Sequence, residues 1–221
     1  AAQMQKSLLP PICLTLAGIK FNWLFCPAGF LAGDIFNFFT LDENHTAFYL
    51  LDVAGHGIPS AMLSVSLSHE LSLPGRGDLL RKYIPEKGYY EIHSPAEVVA
   101  ELNRRYESNK DSVHYFTMIY GVIDNKKGKL TLTQAGHPSP LYIPFRGEPS
   151  FIGTGGFPVG MFPLIEYEDH EIRLKKGDRL FVYSDGIGDC RNKDNEVFSD
   201  KMLYEFFLKY GGLSMDNLIK T

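Results

Sequence analysis

Residues 33–57 read GDIFNFFTLDENHTAFYLLDVAGHG. Two runs rich in aromatic and aliphatic residues flank a polar stretch, LDENHT, at 41–46. That pattern predicts a β-hairpin. A carboxylate stands at each outer end: Asp34 before the first run, Asp52 near the close of the second. A charge at the edge of an apolar core is costly unless it is paired or binds a cation. The GHG turn at 55–57 then leads into a helical pattern, in which Ile58, Ala61, Met62, Val65 and Leu67 to Leu71 keep helical spacing and Pro59 suits a first turn.

Working outward, MQKSLLPP reads as the end of a helix stopped by Pro10 and Pro11. GIKFNWLFCPA alternates like a strand around aromatic residues. Residues 72–90 break the pattern with Pro, Gly and charge, and read as a loop or a partly ordered insertion, either one that touches a partner protein or a tolerated surface insertion. HSPAEVVAELNRRYES is a helix with Ser94 as N-cap, Pro95 at the first position and Glu97 three residues after the cap. YFTMIYGVID and LTLTQAG, joined by NKKGK, predict a second hairpin. PLYIPF, HEIRL and DRLFVYSD predict further strands, and SDKMLYEFFLKYGG a helix ended by glycines. Strands, two helices, strands and a helix lack the regular alternation of a parallel sheet. The order predicts an α+β fold of packed antiparallel sheets with helices outside.

The chain has 221 residues, 44% of them hydrophobic, which suits one large domain with a real core. A net charge of -4 argues against a nucleic-acid surface, which needs clustered Lys and Arg. No apolar run approaches the roughly 18 to 20 residues of a membrane span. Cys13, Cys26 and Cys190 lie far apart and are odd in number, matching neither a zinc site nor a disulfide framework. They fit reduced thiols and a cytoplasmic location. The start lacks an initiator Met, and the end, LSMDNLIKT, stops in a helix barely begun. Both ends read as cut from a longer protein.

Three aspartates share one setting. Asp34 follows LAG, Asp52 follows FYLL, and Asp185 follows RLFVYS, each beside glycine or near it. No Lys or Arg adjoins Asp52 or Asp185. Any one of them could simply cap the next turn. Together they suit Mg²⁺ or Mn²⁺, which prefer oxygen ligands. His56 and His137 lack a second His or Cys at zinc-ligand spacing. The Gly55–Gly57 turn lacks the Gly-Lys-Ser/Thr ending of a Walker loop, although the following helix presents a positive dipole end to an anion.

The blocks QKSLLP, PAGFLAGDIFNFF, LLDVAGHGIPSAML, PAEVVAELNRRY, YFTMIYGVID, LTLTQAGHPSPLY, GGFPVGM and KKGDRLFVYSDGIGDCRN occur in the order found in the bacterial PPM-type serine/threonine phosphatases. The chain resembles their SpoIIE and RsbU branch over nearly its whole length. The resemblance implies a four-layer α-β-β-α sandwich with a two-metal site holding Mn²⁺ or Mg²⁺ at one end. It implies that Asp52 bridges both ions, that Val53 offers its backbone carbonyl, that Asp185 holds the first ion and that Asp34 serves the second, often through water. The reaction implied is hydrolysis of phosphoserine or phosphothreonine by metal-activated water, with no protein nucleophile. The implied substrate is a phosphorylated partner protein of the STAS anti-sigma-factor-antagonist type, in a partner-switching or two-component pathway. Residues 1–10 would be the end of a linker or dimerisation helix joined to an upstream sensory or receiver domain, and 11–221 the phosphatase domain.

The chain departs from the family pattern in places. The GDxxD pattern ends here in Asn37, and Gly188 and Asp189 stand where many relatives carry Thr-Glu. The acidic pair that relatives carry on a last strand, which completes the first metal site, does not occur before Thr221, and Asp216 lies in the wrong setting to replace it. The domain is therefore expected to lack its last strand or strands. A phosphatase-like scaffold without turnover is the competing expectation.

Overall fold

The computed structural model describes residues 2–27, 29, 31–72, 79–107, 115–191, 193 and 195–218, with the side chains of residues 2–4 and 216 left aside. The lead hairpin forms as predicted. Strand β3 (Ile35–Thr40) pairs antiparallel with β4 (His45–Val53), with Ile35 opposite Leu51 and Thr40 opposite Thr46. Asp42 closes its turn, its Oδ1 accepting from the backbone N–H of Asn44 at 2.7 Å and of His45 at 2.9 Å. The second hairpin is β7 (Phe116–Asp124) and β8 (Lys129–Ala135). With β11 (Asp169–Arg173) these strands form an antiparallel five-stranded sheet, β11-β8-β7-β4-β3. A three-stranded sheet runs β10-β9-β12, from Ser150–Phe151, Leu141–Ile143 and Arg179–Phe181.

Period-2 alternation splits the core into layers. On one face of the large sheet, Tyr49, Leu51, Met118 and Tyr120 pack on α2 (Ile58–Ser72) and α3 (Pro95–Glu107) through Leu67, Leu71, Val98, Val99 and Leu102. On its other face, Phe38, Phe48, Ile119 and Leu132 meet Tyr142, Leu180 and Val182 around the small sheet. Beyond that sheet, Leu141, Ile143 and Tyr183 pack on Leu203 and Phe207 of α4 (Asp200–Tyr210). The order of layers is α-β-β-α, as expected.

The α3 capping box is reciprocal. Ser94 N–H donates to Glu97 Oε2 at 2.7 Å, and Glu97 N–H donates to Ser94 Oγ at 3.3 Å. Asp169 Oδ1 accepts from the Ala96 N–H at 2.8 Å, tying this helix start to the edge strand. Helix α1 (Ala2–Ser7) ends before the two prolines, and Ser199 caps α4. A short α5 (Met215–Leu218) follows.

Four details differ from the sequence reading. GIKFNWLFCPA contributes only β2 (Ile19–Lys20), paired with β1 (Thr15–Leu16); its aromatic residues are held by ring contacts, Phe21 stacking on Phe38 at 4.2 Å and Trp23 edge-on to Phe36 at 5.2 Å. Residues expected as a loop form a hairpin, β5 (Arg81–Ile84) with β6 (Tyr89–Ile92), while 73–78 lie outside the described residues. Ile58 and Met62 do not face the core; they are 63% and 68% exposed, and α2 buries Ser60, Ala61, Ser64 and Ser68 instead. DRLFVYSD is a strand only through Phe181.

Candidate metal centre

The β3–β4 register, continued one residue past Ile35 and Leu51, sets Asp34 opposite Asp52. Asp52 in turn lies opposite Thr117 on β7. Leu51 and Val53 point at the helices, so Asp52 points the other way, toward the space between the sheets. Asp185 arrives from the small sheet, four residues beyond the end of β12, and opens a single 3₁₀ turn, Asp185–Ile187. Ser184 links the two sides, its Oγ donating to Asp34 Oδ2 at 3.3 Å.

The electrostatics follow from this gathering. Burial is the main cause that raises the Asp34 carboxyl from 3.8 to about 6; the Ser184 hydroxyl opposes the shift and the charge of Asp185 adds to it. Burial, then the charges of Asp34 and Asp185, raise Asp52 from 3.8 to about 7. Like charges set across a strand pair destabilise one another. Among the described residues, Asp34 Oδ1 is buried without a hydrogen-bond partner. An orphaned carboxylate oxygen beside two further carboxylates is the donor set that a hard divalent cation complements. Among the described residues, no three His, Cys, Asp or Glu side chains close into a ready metal cage.

The close approach depends on Gly33. A methyl group there would lie 2.6 Å from the Val53 carbonyl oxygen and 2.7 Å from Asp52 Oδ1. The Val53 N–H donates to the Gly33 carbonyl at 3.4 Å, so the loop carrying Asp34 is laced to the Asp52 strand. Gln5 of α1, only 3% exposed, holds the same loop from outside. Its Nε2 donates to the Ala32 carbonyl at 2.7 Å and to the Asp34 carbonyl at 3.4 Å, while its Oε1 accepts from the Ala32 N–H at 3.2 Å.

Sequence reasoning therefore chose aspartates that the fold brings together, and missed Gly33, Ser184 and Gln5. Ser184 and Gly33 carried a usable signal, being adjacent to Asp185 and Asp34. Gln5 carried none, because its target lies 27 residues away. Asn37 is on the opposite face from Asp52; its Nδ2 donates to Ser72 Oγ of α2 at 3.2 Å. His56 is exposed in its turn, and Asp189 is exposed beyond the 3₁₀ turn. The side chain of Asp216 lies outside the described residues.

The family model described as Stage II sporulation protein E (SpoIIE) matches residues 42–221. The chain belongs to the SpoIIE family. Among curated relatives of this SpoIIE-family chain, it is 29% identical over 163 residues to phosphoserine phosphatase RsbP of Bacillus subtilis, covering 72% of this chain and 37% of RsbP. It is 27% identical over 195 residues to phosphoserine phosphatase RsbU of the same organism, covering 88% of this chain and 54% of RsbU. The chain thus spans about half the length, or less, of these two relatives. In fold, the SpoIIE-family chain is similar to the SiaA-PP2C domain of Pseudomonas aeruginosa, with a TM-score of 0.76 at 15% identity over 99% of this chain and 83% of that one. RsbX, solved in complex with magnesium, has a TM-score of 0.59 at 16% identity over 86% of this chain and 78% of its own. The architecture is that of the PPM phosphatases.

Proposed function

We propose that residues 11–221 form the catalytic domain of a metal-dependent protein phosphatase that hydrolyses phosphoserine or phosphothreonine in a partner protein. The observation that carries this reading is the cluster of Asp34, Asp52 and Asp185. Two of its carboxyls resist ionisation, and one buried oxygen has no partner among the described residues. A fold keeps so unfavourable a cluster when a cation offsets it. RsbP and RsbU are phosphoserine phosphatases, which supports the reaction class. The magnesium in RsbX supports a divalent ion.

In this reading Asp52 would be shared by two Mn²⁺ or Mg²⁺ ions, Asp185 would hold the first, and Asp34 with the Val53 carbonyl would serve the second. When bound, such ions acidify a water and offset charge on the phosphoryl oxygens. Ser184 orients Asp34 through its hydrogen bond. Gly33 lets the loop that carries Asp34 lie close against the Asp52 strand. The proposed substrate is a phosphorylated STAS-type anti-sigma-factor antagonist in a partner-switching or two-component pathway. The proposed setting is a cytoplasmic protein with a sensory or receiver domain upstream of residues 1–10, which would also serve dimerisation. No helix of the described residues is long and apolar enough to cross a membrane.

A scaffold that binds without turnover is the second reading, favoured by the lack of a closed three-acid cage among the described residues. Hydrolysis of a phosphoserine peptide, with and without Mn²⁺, separates the two, using this chain and a version extended past Thr221. Mn²⁺-dependent release of phosphate by the extended chain, lost in Asp185→Ala, is the expected result. Absence of turnover in both forms at saturating Mn²⁺ sinks the enzyme reading.

A further inference from the structure

His137 is only 2% exposed, and the role proposed for the aspartates leaves it unexplained. Its Nδ1 lies 2.7 Å from Thr117 Oγ1. Thr117 is the residue directly across from Asp52 on the neighbouring strand, on the same face of the sheet. Tyr183 and Asp185 are its neighbours around one cavity. Tyr183 stands two residues before Asp185. His137 thus sits between the strand that carries Asp52's neighbour and the segment that carries Asp185. Together with Thr117, Tyr183, Asp185, Asp189 and Asp200, it lines a cavity of about 410 Å³.

The turn that presents His137 is fixed from several directions. Gln134 Nε2 donates to the His137 carbonyl and, at 3.1 Å, to Ser139 Oγ, while Gln134 Oε1 accepts from the Gly155 N–H at 2.8 Å. Gly136 has φ of 64°, and a methyl group there would lie 2.7 Å from Pro158 Cγ. A ring held this firmly does not adapt to its neighbours; the neighbours register on it. Burial lowers the imidazole to about 4, so the ring is neutral at pH 7. A neutral ring that accepts the Thr117 hydroxyl proton at Nδ1 carries its own hydrogen on Nε2. Nε2 is buried and, among the described residues, has no hydrogen-bond partner.

We propose that His137 is a positioning residue for the metal centre: an imidazole strut between Thr117 and the Tyr183–Asp185 segment that sets the spacing of Asp52 and Asp185. The role rests on the metal-centre reading above. It differs from ligation, since His137 reaches the ion through the elements it spaces. Groups that orient metal ligands from behind change metal affinity by roughly 10- to 100-fold when removed.

The test uses His137→Phe, which keeps a ring without the nitrogens, and Thr117→Val, which keeps shape without the hydroxyl. His137→Asn is the conservative variant, because its amide can still meet Thr117. Mn²⁺ affinity is read by electron paramagnetic resonance of the free ion, beside the melting temperature without metal. Both His137→Phe and Thr117→Val should weaken Mn²⁺ binding by roughly tenfold or more. Their double mutant should be little worse than either alone, as expected for two ends of one link. His137→Asn should recover part of the loss. Unchanged Mn²⁺ affinity in Thr117→Val, or losses that add fully in the double mutant, overturns the proposal, as does a fall in melting temperature with no change in affinity. A second readout needs no metal: amide exchange across residues 183–189 should quicken in His137→Phe and Thr117→Val. Unchanged exchange there overturns the strut. If neither the wild-type chain nor the version extended past Thr221 binds Mn²⁺, the metal-centre reading fails, and the exchange measurement still decides the strut.

Discussion

Asp52→Asn removes one charge from the aspartate cluster while keeping its shape. Burial and the charges of Asp34 and Asp185 raise the Asp52 carboxyl from 3.8 to about 7. At about 1.4 kcal/mol per pH unit, ionising it in the folded, metal-free protein costs at most about 4 kcal/mol. Asp52 is partly exposed, and solvent screening brings that down to about 1–2 kcal/mol. The carboxyl holds its proton more tightly folded than unfolded. Its contribution is therefore intact below about pH 4 and is lost as the pH rises through about 7. A domain of this size shifts by about 2–4 °C per kcal/mol. Metal-free Asp52→Asn should then melt about 2–8 °C above the wild type at pH 8, and the gap should narrow toward pH 4.5. Saturating Mn²⁺ should raise the wild type and leave the variant nearly unmoved, reversing the order. Thermal melts in EDTA at both pH values, repeated with Mn²⁺, measure this. A variant that melts at or below the wild type in EDTA at pH 8, or gains as much from Mn²⁺, refutes the reasoning.

Gly33→Ala should lose Mn²⁺-dependent turnover and about 1–3 kcal/mol of stability, since its methyl meets the Val53 carbonyl oxygen and Asp52 Oδ1; phosphatase assay and denaturant titration check both. Ser94→Ala breaks the capping box of α3 and should cost about 1 kcal/mol, read in the same titration, with catalysis unchanged. Replacing the hairpin from Arg81 to Ile92 with a short glycine linker should weaken action on a phosphoprotein yet spare a small chromogenic phosphate ester, because Tyr83, Tyr89 and Tyr90 are exposed on it; equal loss on both substrates would show that the hairpin supports the fold.

What the sequence revealed, and what it hid, follows from where each signal comes from. The hairpin from Ile35 to Val53 was legible because both faces of its strands meet packed layers, which writes two apolar runs into the residues around one polar turn. Helix α3 was legible because its cap is local, within four residues. The β5–β6 hairpin was hidden because its tyrosines pack on each other and under Arg81 and Lys87 rather than on the core, leaving no alternation. Ile58 and Met62 misled for the opposite reason. Their spacing is helical, yet small serines let α2 approach the sheet on another side. At the site, carboxylates next to glycine were conspicuous, whereas the reach of Gln5 to Ala32 and of His137 to Thr117 depends on tertiary placement.

The candidate centre straddles the two sheets: Asp52 hangs from the larger and Asp185 follows the smaller. This makes the site a gauge of slip between them. Stacked sheets lie about 10 Å apart, so a sideways slip of about 1 Å barely disturbs their oily filling. Metal–ligand distances, by contrast, tolerate only about ±0.2 Å. In the proposed centre, Phe38, Phe48, Ile119 and Leu132, which fill the gap between the layers, are expected to act as remote controls on ion affinity. Trimming one of them would be felt as a weakened grip on the ion well before the fold itself gave way.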